Sequence, residues 1–536
     1  MNSVKRIEPN ETLKRDIERL WTTESFGIKP DVQLPVSPEE RRAWKILKSS
    51  TKHNGERYEC SLLWSSDEVK LPDNREAARK RFYGIERRLN SKRDYAERYA
   101  SAMSRYMELG HARLLTAPEL PGPVGRTWYL PHHGVENNGK LRIVFDASAE
   151  FQGVSLNDVV MKGPDLLQPQ FGVLTRFRER AVAVSADIEK MFNQVLVPKH
   201  DQSALRFIWR PPGNMDPPKT YEMLVQVFGC ISSPTICNHA LIRAAQDGAN
   251  EFAGAADRIQ TNFYVDNYLD SFDEETEAVK LAHDITTLLD RGGFRLTKWL
   301  ATSRKLLASF PLDRLGKPDL NLERDELPIE KTLGLYWDAE RDSLLIKPGN
   351  PSTQLTQRLL LSAINKIYDP LGFIQPVFLK AKRILQKSQI DGLKWDDPLP
   401  RKLAERWTRW VDALPALSEV IIPRCLQPNG IASRVQLLTF CDASEKGFGC
   451  VIYLRTETSN GVATSFIAGK AWTAPKKFLT IPKLELQAAV MGLRLTKVVK
   501  GDLRILVGPP TLWSDSATVL GWIQSKSYRF QTFVGN

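Results

Sequence analysis

The sequence predicts a mixed α/β (α+β) protein of several domains, on three observations. The chain has 536 residues, too many for one hydrophobic core, and about three or four units of ordinary size are expected. Strand-like apolar runs such as AVAVSAD and GFGCVIYLRT alternate with helix-patterned stretches such as EETEAVKLAHDITTLLDRG and LELQAAVMGLRLTKVV. Apolar residues make up 42% of the chain and charged residues 26%, the balance of a globular protein.

The elements fall into four stretches. Residues 1–115 read as a helical, basic N-terminal connector. Within it, NREAARKRFYGIERRLNSKRDYAERYASAMSRYMEL (74–109) sets apolar residues at helical spacing among many Arg and Lys, the pattern of a solvated amphipathic helix. Residues 116–330 open on Pro-rich APELPGPVGRTWYLPHHGV and then alternate strands, turns and helices. KLRIVFDAS is a strand, SADIEKMFNQ a strand end followed by a turn, and VFGCISSPTICNHALIRAA a Gly/Ser/Pro turn leading into a helix. TNFYVDNYLDSF reads as two short strands around a tight Asp-Asn turn. Residues 331–430 are helical and Trp-containing, broken at Pro370, Pro376, Pro398 and Pro400. Residues 431–536 restart a strand-rich pattern with VQLLTFCDAS, GFGCVIYLRT, LRILVG and TLWSDS around one helix.

Charge and cysteine usage narrow the function. Lys and Arg number 75 against 63 Asp and Glu, a net charge of +12. The excess favours a polyanionic partner. Six cysteines form no CxxC pair and no cluster of zinc spacing, which fits reduced thiols. The start, MNSVKRIEPNETLKRDIERL, has no apolar signal core, and no apolar run is long enough to span a membrane. The expectation is an intracellular, cytoplasmic protein that is not secreted and has no membrane partner.

Two sets of carboxylates carry the chemistry. Asp187 ends a near-continuous apolar run, where a carboxylate is costly unless paired or metal-bound. Asp266 stands at the tip of FYVDNY. Two carboxylates on adjacent strands can hold two Mg²⁺ (or Mn²⁺) ions for transfer of a nucleotide to a 3′-hydroxyl. Further on, Asp442 ends the strand FCDAS, Glu485 lies on the helix IPKLELQAAVMGL, and Asp515 follows TLWS. Carboxylates from two strand ends and one helix can converge on a second two-metal site.

In order, the segments KLRIVFDAS, SADIEKMF, VFGCISSP, YVDN, GGFRLTKW and LGLYWD resemble the successive motifs of reverse transcriptases, most closely those of the BEL/Pao class of long-terminal-repeat retrotransposons. The resemblance covers nearly the whole chain. It implies right-hand fingers and palm over 116–330, a thumb or connection over 331–430, and a ribonuclease H-like domain over 431–536. The implied activity is RNA- and DNA-directed DNA polymerisation within a Pol polyprotein. The implied partners are an RNA template, a DNA primer, their RNA–DNA hybrid, deoxynucleoside triphosphates and other parts of that polyprotein. Lys140 and Arg142 would meet the triphosphate, Phe192 would exclude a 2′-hydroxyl, and Gly229, Ser233 and Pro234 would support template and nucleotide. Lys298 would be a general acid for pyrophosphate, and Leu333, Gly334, Tyr336 and Trp337 a primer grip.

The chain departs from that pattern in four places. Asn267 stands where the Tyr-x-Asp-Asp turn has its second aspartate, which removes a charge and keeps an oxygen ligand. Phe228 stands where most families carry Gln, losing a side-chain hydrogen bond. A fourth ribonuclease H carboxylate is expected some tens of residues after Asp515, and the sequence given ends at Asn536, so that unit is expected to be truncated and poorly active. The region from about 330 to 500 also resembles one labelled a Pao retrotransposon peptidase, yet neither Asp-Thr-Gly nor Asp-Ser-Gly occurs, which counts against a third reading as an aspartic peptidase. The KIYDPLGFIQPVFLKAK stretch reads instead as thumb, with Lys380, Lys382 and Arg383 near the duplex backbone. The alternative to a polymerase is a decayed, non-catalytic nucleic-acid-binding protein.

Overall fold

The computed structural model describes residues 13–14, 17–18, 36–137, 139–348, 355–427, 432–525, 530 and 532–535. Among them no helix is long and apolar enough to cross a membrane.

The basic stretch forms α1 (Arg75–Ser91) and α2 (Arg93–Glu108). Their shared stripe, Ala78, Phe82, Leu89, Tyr95, Tyr99 and Met103, is buried. It packs with Trp128, Phe145, Phe207 and Trp209 in one core. The expected boundary at 115/116 runs through that core, so the helices are not a separate solvated connector. Burying each aromatic ring removes roughly 150–250 Å² from water, while the Arg and Lys on the opposite face stay wet. The strand β1 (Ala112–Leu114) follows, then the hairpin β2 (His132–Asn137) and β3 (Lys140–Phe145).

From α3 (Gln170–Phe177) the chain enters a second layer as β4 (Val182–Ile188). It returns to the first layer as β5 (Arg206–Trp209) and β6 (Lys219–Met223), giving the sheet order β1-β6-β5. Helices α4 (Ser233–Asp247) and α5 (Ala253–Asn262) lead to β7 (Phe263–Tyr264) and β8 (Asn267–Phe272), and α6 (Glu275–Arg291) leads to β9 (Leu296–Ala301). These strands make an antiparallel sheet of order β9-β4-β8-β7. The three helices bury Leu241, Ile259, Ile285 and Leu289 in the same core as Val184 and Leu269 of the sheet. The buried run AVAVSA is thus a central strand, covered on its helix side and paired along both edges.

A second small sheet begins with the hairpin β10 (Ile329–Thr332) and β11 (Leu335–Asp338), continues as β12 (Ser343–Leu345) and closes much later with β13 (Ile421–Pro423). Between them α7 (Gln357–Lys366), α8 (Gln375–Ile390) and α9 (Arg401–Ala413) bundle around Leu360, Phe378, Trp407 and Trp410. Lys380 of α8 is exposed, and Lys382 and Arg383 are half-buried.

The last unit is β14 (Arg434–Ser444), β15 (Gly447–Thr458), β16 (Gly461–Thr473), α10 (Ile481–Asp502), β17 (Thr511–Trp513) and α11 (Ala517–Gln524). Its sheet order is β16-β15-β14-β17, with β17 parallel to β14. Helix α10 lies close on this sheet because Gly492 leaves room: a Cβ there would strike the Cys441 thiol. The run LRILVG, expected as a strand, joins no ladder. Its Arg504 amide donates instead to the buried Glu179 carboxyl at 2.5 Å. Burial pushes that carboxyl up to about 8.

Two arginines tie these units together. Arg424, just after β13, is fully buried. Its guanidinium donates to the carbonyls of Phe177 (2.5 Å), Arg180 (2.7 Å) and Ala181 (2.9 Å) and to Asp342 Oδ1 at 2.5 Å. Arg178 donates to the Arg424 and Ile467 carbonyls, each at 3.1 Å. The helical bundle docks on β16 through backbone, the Gly469 amide donating to the Leu371 carbonyl at 2.9 Å.

The first core holds a neutral histidine. The Tyr99 hydroxyl donates to His132 Nδ1 at 2.6 Å, and Nε2–H donates to the Ile208 carbonyl at 2.9 Å. Burial pushes His132 down to about 4, and His111 likewise. Between about pH 6.5 and 4 the unfolded chain therefore binds more protons than the folded one, so stability falls as pH falls through that window. For His132 the loss should be on the order of 3 kcal/mol. Urea unfolding at pH 7 and pH 4.5 should show it, with a smaller pH difference in His132→Gln. An unchanged difference in the variant would remove His132 as its source.

Candidate active site

The register of β4 against β8 builds the site. Asn267 pairs with Asp187 across the ladder, and Asn267 also pairs with Tyr264. The tight turn is therefore Val265–Asp266, one residue earlier than an Asp-Asn turn. Asn267 is the first residue of β8 rather than the hairpin tip. Val265 takes a left-handed φ of 57°, costly for a β-branched residue and a form of strain that collects at functional sites.

Asp187 and Asp266 thus meet at the ends of neighbouring strands. Burial, and then the charge of Asp187, push the Asp266 carboxyl up. Asn267 Nδ2 donates to Asp266 Oδ1 at 2.8 Å. The position that normally adds a negative charge instead spends its amide on the neighbouring carboxylate.

Lys298 Nζ lies 3.1 Å from Asp187 Oδ2. The resemblance implies that Lys298 is a general acid. It stands on β9, where the register against β4 shifts between Thr297 and Leu300. Its left-handed φ of 56° marks this bulge. A bulge re-aims a side chain: Lys298 is turned to the carboxylates while Trp299 is buried beneath.

A cavity of about 690 Å³ opens from this point toward the first layer. Arg142, Asp187, Phe192, Phe228, Asp266 and Lys298 all line it. Lys140 is placed on β3 by the backbone, and its side chain lies outside the described residues. The rings of Phe192 and Phe228 lie 5.8 Å apart at 52°. Phe228 thus replaces a hydrogen bond by aromatic packing against the expected steric gate. Gly229 has φ +121°, and a Cβ there would overlap the Phe145 carbonyl oxygen. Asn157 fixes this turn, donating to the Gly229 carbonyl at 3.0 Å and accepting from the Ile231 amide at 2.9 Å. Ser233 and Pro234 open α4, and the Ser233 hydroxyl donates to the Val227 carbonyl at 2.8 Å.

A second cleft, of about 680 Å³, lies on the other side of Asp266. Leu333, Gly334 and Tyr336 share it with Asp266 and Asn267. The hairpin is held by Gln170, which donates to the Leu333 carbonyl at 2.8 Å and accepts from the Tyr368 hydroxyl at 2.5 Å. Gly334 takes φ +91° under the Tyr368 ring, which leaves no room for a Cβ. Trp337 is a correction: it is fully buried, edge-on to Phe177 at 5.0 Å, and braces the hairpin from within rather than facing the cleft. Alternation along β11 points Tyr336 and Trp337 to opposite faces.

The second carboxylate set does not gather in the same way. Asp442 lies two residues before the end of β14, Asp515 follows β17 by two residues, and Glu485 sits in the first turns of α10. All three lie toward one end of the sheet. Among the described residues, however, no group of three or more His, Cys, Asp or Glu side chains is placed to hold a metal. Asp442 Oδ1 is turned to the Ala443 amide at 2.7 Å.

Sequence reading missed one wall of the first cavity. Ala102, Arg105, Tyr106 and Leu109 of the α2 region line it, with Lys190 opposite in the sequence order after Asp187. Their i, i+3, i+4, i+7 spacing was legible as a helix face.

Two family models match parts of the chain. Residues 153–299 match the family model of reverse transcriptase (RNA-dependent DNA polymerase). Residues 356–516 match that of the Pao retrotransposon-like RNaseH-like domain, so the region expected under a peptidase label is RNaseH-like. No curated protein sequence matches the chain. Among solved structures, the foamy viral protease-reverse transcriptase in complex with dsDNA is 14% identical, with TM-score 0.51 over 93% of this chain and 92% of that one. The dRH form of the same viral protein with ds DNA is 16% identical, with TM-score 0.50 over 78% of this chain and 62% of its own. This chain thus spans under two thirds of that relative's length. The likeness shows the fold. The chain carries a reverse-transcriptase domain and an RNaseH-like domain.

Asn267→Asp restores a carboxylate beside Asp187 and Asp266. Calorimetric titration should show Mn²⁺ bound about tenfold more tightly than by the wild type; equal affinity would mean that position 267 contributes nothing to the metal. Gly229→Ala should cost about 2–4 kcal/mol in denaturant unfolding, through overlap with the Phe145 carbonyl. A variant as stable as the wild type would show that this turn yields freely.

Proposed function

We propose that this chain is a DNA polymerase acting on RNA and DNA templates, linked to a ribonuclease H-like domain. The observation that carries the reading is the pair Asp187 and Asp266, set on adjacent strand ends between two clefts, within a chain segment that matches reverse transcriptases. The fingers take in α1 and α2 as well as β1, β2, β3, β5 and β6, and the palm is the sheet of β4 with α3 to α6. The thumb and connection follow over 331–430, and the ribonuclease H-like domain from 431.

Reverse transcriptases generally use divalent metals, and the donor set here fits one. Two like charges meet at a partly buried point, and one of them is already pushed toward its neutral form. Asp187 and Asp266, with the Asn267 amide oxygen, would hold Mg²⁺ or Mn²⁺, two ions in the working site, which would activate the primer 3′-hydroxyl and neutralise the triphosphate. The chain's own residues do the rest. Arg142 of β3 receives phosphate charge. Phe192, steadied by Phe228, closes the space a 2′-hydroxyl would need, which selects deoxynucleotides. Lys298 offsets the charge of Asp187 and is the proton source for departing pyrophosphate. Leu333, Gly334 and Tyr336 support the primer end on the opposite side of Asp266.

The substrates are an RNA template, a DNA primer, their hybrid and deoxynucleoside triphosphates. Such duplexes are held through phosphates and are weakened by salt. An intracellular site and assembly with other parts of a Pol polyprotein complete the reading.

One observation favours a second reading, a nucleic-acid-binding protein without catalysis. Both carboxylates already have protein partners, Lys298 on Asp187 and the Asn267 amide on Asp266. Asp187→Asn separates the two. On the polymerase reading, primer extension falls by about 10²–10³-fold or more while hybrid affinity, read by fluorescence anisotropy, stays near wild type. No extension by wild type and variant alike, with intact hybrid binding, would establish the second reading instead.

A further inference from the structure

The cavity between the palm carboxylates and the first layer carries more positive charge than the residues discussed so far. Arg105, in the last turn of α2, and Lys190, three residues after Asp187, both line it together with Arg142 and Lys298. Against these four cations stand Asp187, Glu189 and Asp266. Lys298 is taken by Asp187 at 3.1 Å, and Glu189 is taken by Arg295 at 3.0 Å. Lys190 reaches Glu189 only at 3.8 Å. Arg105 and Arg142 are exposed, and their side chains have no hydrogen-bond or ion-pair partner among the described residues.

The backbone holds Lys190 in place for a reason its side-chain contacts do not explain. It adopts a left-handed φ of 49°, unusual for lysine, at the start of the short turn Met191–Gln194. Its carbonyl accepts from the Asn193 amide at 2.8 Å, and the Gln194 side chain donates to the preceding carbonyl of Glu189 at 2.5 Å. The same turn carries Phe192. One rigid turn therefore presents a cation and the aromatic gate to one cavity. Burial and the facing Arg105 charge push the Lys190 ammonium down. An anion between the two would relieve that repulsion.

The volume, about 690 Å³, is that of a small-molecule site, for which roughly 300–1,000 Å³ is usual. A compact polyanion suits it better than a duplex. We propose that Arg105 and Lys190 form, with Arg142, a clamp on the polyphosphate tail of the incoming nucleoside triphosphate, one that binds the tail without metal. This rests on the polymerase reading for its ligand. It also bears on Asn267: where the carboxylate pair carries less negative charge to recruit metal, cations of the protein hold more of the tail's charge.

The test is calorimetric binding of inorganic tripolyphosphate to the whole chain in EDTA. Arg105→Ala and Lys190→Asn are compared with the wild type and with Lys402→Ala on α9, outside the cavity. Asn is chosen at 190 because it tolerates the left-handed backbone. Each loss of a charged hydrogen-bond donor should weaken binding about tenfold, and the double variant more. Lys402→Ala should bind as the wild type does. Arg105→Gln, matched in melting temperature, guards against a folding effect and should weaken binding similarly. Tripolyphosphate affinity unchanged in Arg105→Ala and Lys190→Asn overturns the clamp. So does a loss confined to a short single-stranded oligodeoxynucleotide, which would make the cations a template contact. Weakened tripolyphosphate binding with no primer extension by the wild type leaves the clamp standing and removes the polymerase reading. Extension by the wild type with an unaltered nucleotide KM in the variants does the reverse.

Discussion

The site depends on how the charge of two carboxylates at the ends of buried strands is compensated. β4 and β8 are covered by helices on one face and paired on both edges, so Asp187 and Asp266 are only partly exposed to water. Unpaired, such groups are costly. The protein answers with a β-bulge that brings Lys298 to Asp187 and with the Asn267 amide on Asp266. The same two devices define the chemistry. On the proposed function, Lys298 would stand where a proton is needed, and Asn267 would set how much negative charge remains for a metal.

Geometry around that point is enforced from outside it. Val265 is held left-handed in a two-residue turn, Gly229 and Gly334 sit where no Cβ fits, and Trp337 fills the space under the hairpin that flanks Asp266. Farther out, Arg424 and Arg178 stitch the strand after the helical bundle to α3 and to β16 through carbonyl oxygens. Buried arginines bonded to several carbonyls leave few ways to rearrange, because separating the units would strand the guanidinium.

Much of this was legible in the chain. The apolar run before Asp187 and the aromatic hairpin around Asp266 announced the palm, and period-2 alternation announced the β14–β15 pair. What stayed hidden depends on register and three-dimensional phase. A one-residue shift placed the turn at Val265–Asp266, and a bulge made Lys298 a strand residue aimed at the site. The stripe of α1 and α2 gave no sign of the partner that would bury it, so a part of the first layer read as a solvated connector. LRILVG had strand composition but joins no ladder: its Arg504 amide donates to Glu179, and Gly508 makes a single backbone bond to β14. Trp337 shows the opposite limit: motif order put it at the site, while strand alternation put it in the core.

Nucleotide joining by the Asp187–Asp266 site, with an amide at its third position, is the proposed activity. It is tested most directly by single-turnover addition of one complementary deoxynucleotide by the wild-type chain to a DNA primer on an RNA template, with Mg²⁺ and with Mn²⁺. A working polymerase site gives a primer one nucleotide longer in either metal, with the ribonucleotide excluded. A chain that binds the hybrid yet leaves the primer unextended at saturating nucleotide in both metals would contradict it.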